Sequence, residues 1–222
     1  MATNPFSRLF STTEPQTGSP RAVPELKRLL NVGGNSKGIE LPPQFDGWEH
    51  LLLDIDPRGN PDLLCDARNL LTTPEDQYDA VYCSHNLEHY LAHDAVKVVL
   101  GFHHIIKPGG FALIRVPDMG EVMRRVVENG LDIEDELYVS PDGFSISVKD
   151  VMYGWGKEIE ESGQDYYAHK TGFTEKSLLE LLYRCGFSHV FSGKADLEIC
   201  AFAFLRLPDA ATCLALGLTP PD

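Results

Sequence analysis

Five stretches decide the fold: LLNVGGNSKG (29–38), HLLLDIDP (50–57), DLLCDARNL (62–70), YDAVYCSHNLEHY (78–90) and IIKPGGFALIRVP (105–117). Each opens as a short apolar run and closes on a small or acidic turn. Short apolar runs alternating with loops or helical stretches mark a parallel sheet in an α/β domain, and such sheets bind ligands at the carboxyl ends of their strands. The polar residues at those ends are therefore where chemistry is sought. Strands are expected at 29–32, 50–55, 62–65, 80–83 and 111–116. Pro42 and Pro43 leave little room for a helix between the first two, so that crossover is abbreviated.

Working outward, Asp94 is placed to cap a helix over 95–106 whose inner face is Val96, Val99, Leu100, His103 and Ile106, with His104 on the helix surface. Pro108, Gly109 and Gly110 stop it. A helix over 119–128 ends at Asn129 and Gly130. Thr174 caps another that runs to Cys185, with Gly186 ending it, and strands at 189–191 and 199–207 close the domain. Residues 1–22 mix Ser, Thr, Pro and Gly and read as a loosely docked arm, 23–207 as one domain, and 208–222 as a tail. Residues 131–168 carry many acids and no clean periodicity. They read as an insertion over the ligand end of the sheet, a lid with Trp155, Tyr166 and Tyr167 to line it.

Composition narrows the partners. The chain has 222 residues, 43% of them hydrophobic and 23% charged, which suits one ordinary globular core. A net charge of −14 excludes non-specific binding of extended nucleic acid and leaves a small-molecule or glycan partner. Cys65, Cys83, Cys185, Cys200 and Cys213 are odd in number and form no CxxC pair, so no disulfide framework or zinc ribbon is expected. No apolar run approaches the roughly 20 residues of a membrane span. A cytoplasmic protein without a membrane partner is the expectation.

Gly33 and Gly34 follow the first strand and let a ligand approach the backbone; Gly38 has phosphate-loop spacing, but Ile39 and Glu40 stand where that motif needs Lys and Ser or Thr. Asp54 ends the second strand, where an acid can accept the ribose hydroxyls of a nucleotide. Asp66, with Ala67 behind it, follows the third, where a carboxylate and a backbone N–H can meet adenine. SHNLEH places His85, Glu88 and His89 at i, i+3 and i+4, so a helix from Asn86 onward would turn all three to one point. HxxEH is also a metalloprotease string, but after a sheet strand it lacks that fold's context.

The order NVGGNSKG, LLLDID, CDARNL, YDAVYCSHNLEH, IIKPGG resembles the class I S-adenosylmethionine-dependent methyltransferases, in particular the small bacterial branch of predicted methyltransferases, over about residues 28–207. The resemblance implies a Rossmann-like, mostly parallel sheet with a C-terminal antiparallel hairpin, and S-adenosyl-L-methionine as cofactor. Gly33 and Gly34 then serve its methionine and ribose part, Asp54 its ribose, Asp66 and Ala67 its adenine, while Ser84 and His85 border the transferable methyl. SHNLEH is also similar to the ExxEH of metal-using branches, the small-RNA 2′-hydroxyl and quinone-precursor O-methyltransferases. That similarity implies a divalent metal ion on His85, Glu88, His89 and His169. Without a metal, His85 is the expected catalytic base for transfer to oxygen. Asn31, Asn35 and Lys37 depart from the family's DxGxGxG loop and motivate the competing reading of a catalytically degenerate binding or regulatory protein. A nicotinamide-dependent oxidoreductase is disfavoured by the missing glycine fingerprint.

Overall fold

The computed structural model describes residues 26–220; the expected arm at 1–22 lies outside them. The strands are β1 (Arg28–Val32), β2 (Glu49–Asp54), β3 (Leu63–Leu64), β4 (Tyr78–Ser84), β5 (Ile106–Pro117), β6 (Glu136–Val139), β7 (Ser145–Ser147), β8 (His189–Ala195) and β9 (Glu198–Phe204). Seven form one sheet in the order β3-β2-β1-β4-β5-β9-β8. β1 to β5 run parallel, and β9 and β8 add an antiparallel hairpin at the edge. This is the mostly parallel, Rossmann-like α/β sheet that the strand-and-turn series implies.

Strand alternation sends side chains to two dissimilar covers. Leu30, Val32, Val81, Cys83, Ala112 and Ile114 pack on one face with α1 (Ala92–Ile105) and α5 (Glu175–Arg184). On the other face Leu29, Tyr82, Leu113 and Phe204 meet Phe45 and Phe111. There the abbreviated crossover supplies a single 3-10 turn, Pro43–Phe45, and its aromatic pair Phe45 and Trp48 (centroids 5.4 Å apart) does the covering that a helix would otherwise do. Leu216 and Leu218 join this layer behind α6 (Ala210–Ala215), capped by Asp209.

Three local expectations change. α1 begins at Ala92, so Asp94 sits inside its first turn and pairs with Arg68 and Lys97, where a carboxylate also suits the helix's positive end. Its buried face is Ala95, Val98, Val99, Phe102 and Ile105, one step from the predicted stripe, with Leu100 left exposed. β5 starts at Ile106 and runs through the Pro-Gly-Gly stop, because the pairing with β4 shifts register between Tyr78 and Ala80 and absorbs those residues as a bulge. The third change matters most for the site: no α-helix follows Asn86. Leu87–His89 is one 3-10 turn, and Tyr90 is already extended.

Asp118 caps α2 (Met119–Asn129), and Gly130 ends it in the left-handed conformation. The insertion, read as aperiodic, is ordered into the β6–β7 hairpin, α3 (Val148–Tyr153), α4 (Gly156–Ser162) and a 3-10 turn at Asp165–Tyr167. Its apolar residues Val148 and Val151 bury against Val122 and Leu197, a small core of its own that was too short in each segment to show a period. Thr174 and Ser177 form a reciprocal capping box at the start of α5, as the Thr predicts.

Candidate active site

Gly33 enters the loop after β1 at φ +71°, and its N–H donates to Leu53 O at 2.8 Å. Asn35, where the family loop has glycine, adopts φ +58°, a left-handed conformation that asparagine tolerates better than most residues. The loop therefore keeps a glycine-like path without the glycine. Asp54 holds it there, accepting Asn35 N–H and Asp56 N–H at 2.9 Å each. Asp54 is buried and both its oxygens are engaged by backbone, so in this state its visible work is shaping the loop. Lys37, where another glycine is expected, pairs with Asp62 at 2.6 Å. A Cβ on Gly33 would lie 2.0 Å from the Asn86 side-chain nitrogen, and one on Gly34 would lie 2.2 Å from that of Asn31. Both glycines are needed for this packing.

Three cavities border the tip of β4, each with a different one of Ser84, His85 and Asn86 in its wall. The smallest, about 150 Å³, is lined by Gly33, Gly34, Tyr82 and Ser84. A second, about 340 Å³, is lined by Ile55, Asp66, Asn86, His89, Tyr90 and Tyr166. The largest, about 580 Å³, lies between the β5–β9 edge and the insertion and includes His85, His169 and Trp155 in its wall. Asp66 reaches the second cavity while capping the turn at 67–72 and pairing with Arg68. Ala67 is buried in the core beneath it, and Asp54 lines none of the three.

His85 is strained. It follows β4 directly at φ +48°, a conformation that costs a non-glycine residue of order 1 kcal/mol and clusters at functional sites. Its Nε2 lies 2.8 Å from Glu198 Oε2, and its Nδ1 lies 3.6 Å from Glu88 Oε1. Burial lowers the imidazole pKa, but the Glu198 hydrogen bond and the two carboxylate charges outweigh it and push it up to about 9. At neutral pH this holds His85 as an imidazolium.

Glu88 is 1% exposed, and neither carboxylate oxygen has a hydrogen-bond partner. Burial opposes its ionisation, yet His85, with His89 and His169 beyond, holds it below the ordinary glutamate value. The Glu88 carbonyl accepts Lys170 N–H (2.8 Å) and Thr171 N–H (3.1 Å), which brings the distant His169 to the β4 tip. His89 Nδ1 faces Ala168 O at 3.3 Å, and His169 Nδ1 faces Val151 O at 2.8 Å. Nδ1–H donation to a carbonyl leaves each Nε2 as a free lone pair. Ligand atoms of Glu88, His89 and His169 lie within 4.8 Å of one another. Of the four residues expected to converge on a metal, these three come together. His85 is turned away to Glu198 because the 3-10 turn replaces the helix that would have aligned it.

Glu198 and Arg115 escaped the sequence reading. Arg115 donates through Nε to Glu198 Oε1 at 2.8 Å, so one carboxylate bridges Arg115 and His85. The signal was present: each is a charged residue in an apolar strand, FALIRVP and EICAFAF. Also missed was the junction in which Arg58 pairs with Asp56 (2.7 Å) and Glu158 (2.9 Å) while the Tyr167 hydroxyl donates to Asp56.

Residues 18–114 match the methyltransferase domain family. By that match the first part of the chain is similar to the methyltransferase domain of class I S-adenosylmethionine-dependent enzymes. A solved S-adenosylmethionine-dependent methyltransferase from Archaeoglobus fulgidus shares its fold at 15% identity, with 80% of this chain and 86% of that one covered and a TM-score of 0.51. A protein of Pyrococcus horikoshii OT3 does so at 13% identity, 82% and 83% coverage and a TM-score of 0.52. The CMeT domain of the citrinin polyketide synthase aligns at 12% identity over 83% of this chain and 48% of that chain, with a TM-score of 0.52. No curated protein matches the chain. Among the described residues no helix is long and apolar enough to cross a membrane.

Proposed function

We propose that this protein is a class I S-adenosylmethionine-dependent methyltransferase that moves the sulfonium methyl to an oxygen of a small-molecule or glycan acceptor. The observation that carries the reading is that the consecutive residues Ser84, His85 and Asn86 each line a different cavity. One cavity has the glycine loop for the methionine end, one has Asp66 for the adenosine, and the largest is left for the acceptor. Between them an acceptor oxygen attacks the methyl carbon in line with the departing sulfur. The S–CH₃ bond breaks as O–CH₃ forms, giving S-adenosylhomocysteine, and the hydroxyl proton must leave. His85 borders the reacting centre and takes that proton only from its neutral form.

Glu88, His89 and His169 fit a divalent metal ion: their donor set is one carboxylate and two imidazoles, the carboxylate is buried without a partner, and both imidazoles are oriented by carbonyls. When bound, such an ion supplies positive charge that lowers the pKa of an acceptor hydroxyl. These residues stand in the wall between the second and largest cavities, where His89 lines one and His169 the other. The five free cysteines accord with a cytoplasmic setting, and the charge of −14 with an acceptor other than extended nucleic acid.

Titration with S-adenosylhomocysteine and NAD tests the cofactor. Binding of the former alone is expected, and its absence overturns the reading. Zinc, manganese and magnesium titrations of wild type and His169→Ala test the metal, with a loss of stoichiometric binding expected in the variant.

A further inference from the structure

We infer that the acceptor is a neutral molecule with a planar aromatic ring, rather than an anion or a glycan. This rests on the reading that the 580 Å³ cavity takes the acceptor, and that volume lies within the range that encloses a compact organic ligand. Its walls are apolar and partly aromatic: Tyr138, Ile146, Val151, Trp155 and Leu197 line it. Trp155 and Tyr138 keep more than a third of their surface exposed, although large rings usually bury theirs. Trp155 is braced by Phe144, with ring centroids 5.5 Å apart, so its indole is held as a fixed surface for another flat group.

The polar groups of the same wall are already engaged. Arg115 gives Nε to Glu198 at 2.8 Å and another nitrogen to the Tyr82 hydroxyl at 3.4 Å, and His85 gives Nε2 to the second Glu198 oxygen. Asp150 accepts from Ser147 and Gly156, and Asp196 is paired with Arg125. A carboxylate or phosphate on the acceptor would find the Arg115 guanidinium already paired with Glu198 and would face Asp150 and Asp196 as well. Like charges brought together in a partly desolvated site weaken binding strongly. A sugar needs several free donors and acceptors around its hydroxyls, and desolvating them against engaged groups is unfavourable. What the wall offers freely is ring surface. Besides the polar tips of Tyr138 and Trp155 themselves, His169 Nε2 stands free at one end, where a single hydroxyl would be presented to the methyl.

The test is calorimetric titration of the full-length protein, saturated with S-adenosylhomocysteine, using 1-naphthol, its anionic relative 1-hydroxy-2-naphthoate, and methyl glucoside. We expect 1-naphthol to bind at least about tenfold more tightly than either. Trp155→Ala should lose about tenfold of that affinity while Trp155→Phe keeps most of it. Glu198→Gln removes the charge paired with Arg115, so it should raise the affinity of the naphthoate several-fold; this gain could not come from misfolding. Equal or tighter binding of the naphthoate or glucoside by the wild-type protein overturns the proposal, as does failure of 1-naphthol to bind at millimolar concentration. Cofactor binding is read separately on the same sample. Ring binding without S-adenosylhomocysteine binding would sink the transfer reading and leave the pocket's preference standing.

Discussion

Along β1 and β2 the polar groups at the end of the sheet find partners close by in the chain: Asp54 takes an N–H from 19 residues away and another from two. Along β4, β5 and β9 the partners come from far off. His85 and Glu198 are 113 residues apart, Arg115 and Glu198 are 83, and His89 and the Ala168 carbonyl are 79. The first region is satisfied: every oxygen of Asp54 accepts a backbone hydrogen. The second holds a buried carboxylate, Glu88, with no hydrogen-bond partner and with the His85 imidazole, 3.6 Å away, to offset its charge. Groups completed locally build a scaffold, whereas an orphaned charge held in place by long-range contacts raises the energy of the unliganded protein and is relieved by whatever binds there.

The sharpest way to break that contrast is Glu88→Gln, which keeps the shape and removes the charge. Methyl transfer should fall by about 100-fold or more if Glu88 holds a metal or orients the groups that do, in line with losses at metal sites. The midpoint of thermal unfolding without metal should hold or rise, because the desolvation cost of a buried carboxylate that accepts no hydrogen bond is removed. A variant that unfolds earlier but transfers normally would make Glu88 an ordinary structural residue. In the satisfied region the reverse pattern is expected. Asp54→Ala removes two hydrogen bonds to an ionised acceptor, so affinity for S-adenosylhomocysteine should drop about 10- to 100-fold in calorimetry and stability should fall too. Undiminished binding would show that Asp54 does not shape the cofactor loop.

The same contrast explains what the sequence alone discloses. Gly33, Asp54, Asp66 and Ser84 stand next to the strands that place them, so the strand-and-turn series finds them together with the fold. Asn35 resolves once its φ of +58° is seen, because an asparagine in a glycine's conformation is invisible to a motif written in glycines. Glu88, His89 and His169 were legible as residue types. Their convergence was not derivable from a helical period, since the helix is absent; it comes from the Glu88 carbonyl capturing Lys170 and Thr171. Glu198 could be suspected only as a charge in an apolar strand, and its partner became visible with the antiparallel register that sets it opposite Pro117, two residues beyond Arg115.

Where the two regions meet, Arg58 and Tyr167 tie the β2 loop to the insertion through Asp56 and Glu158. Arg58→Ala should speed release of S-adenosylhomocysteine by a few-fold in stopped flow, because the insertion loses its anchor over the second cavity, where Tyr166 stands. Unchanged release would mean that the insertion closes without this tie.

The smallest effect concerns the same junction and its pH dependence. The Arg58 hydrogen bond, aided by Tyr167, holds the Asp56 carboxyl well down, to about 2. A carboxylate whose folded value is depressed contributes its stability above its unfolded value near 3.9 and loses it as pH falls through the folded one. Asp56→Asn has no such titration. The wild-type unfolding midpoint should therefore exceed the variant's by about 2 °C at pH 7, keep most of that margin at pH 4, and lose it by pH 2. The margin is set small because Arg58 is more than half exposed and solvent screens the pair. A gap that closes between pH 7 and 5 instead would assign the stabilisation to another group and leave Asp56 with no measurable part in joining the two regions.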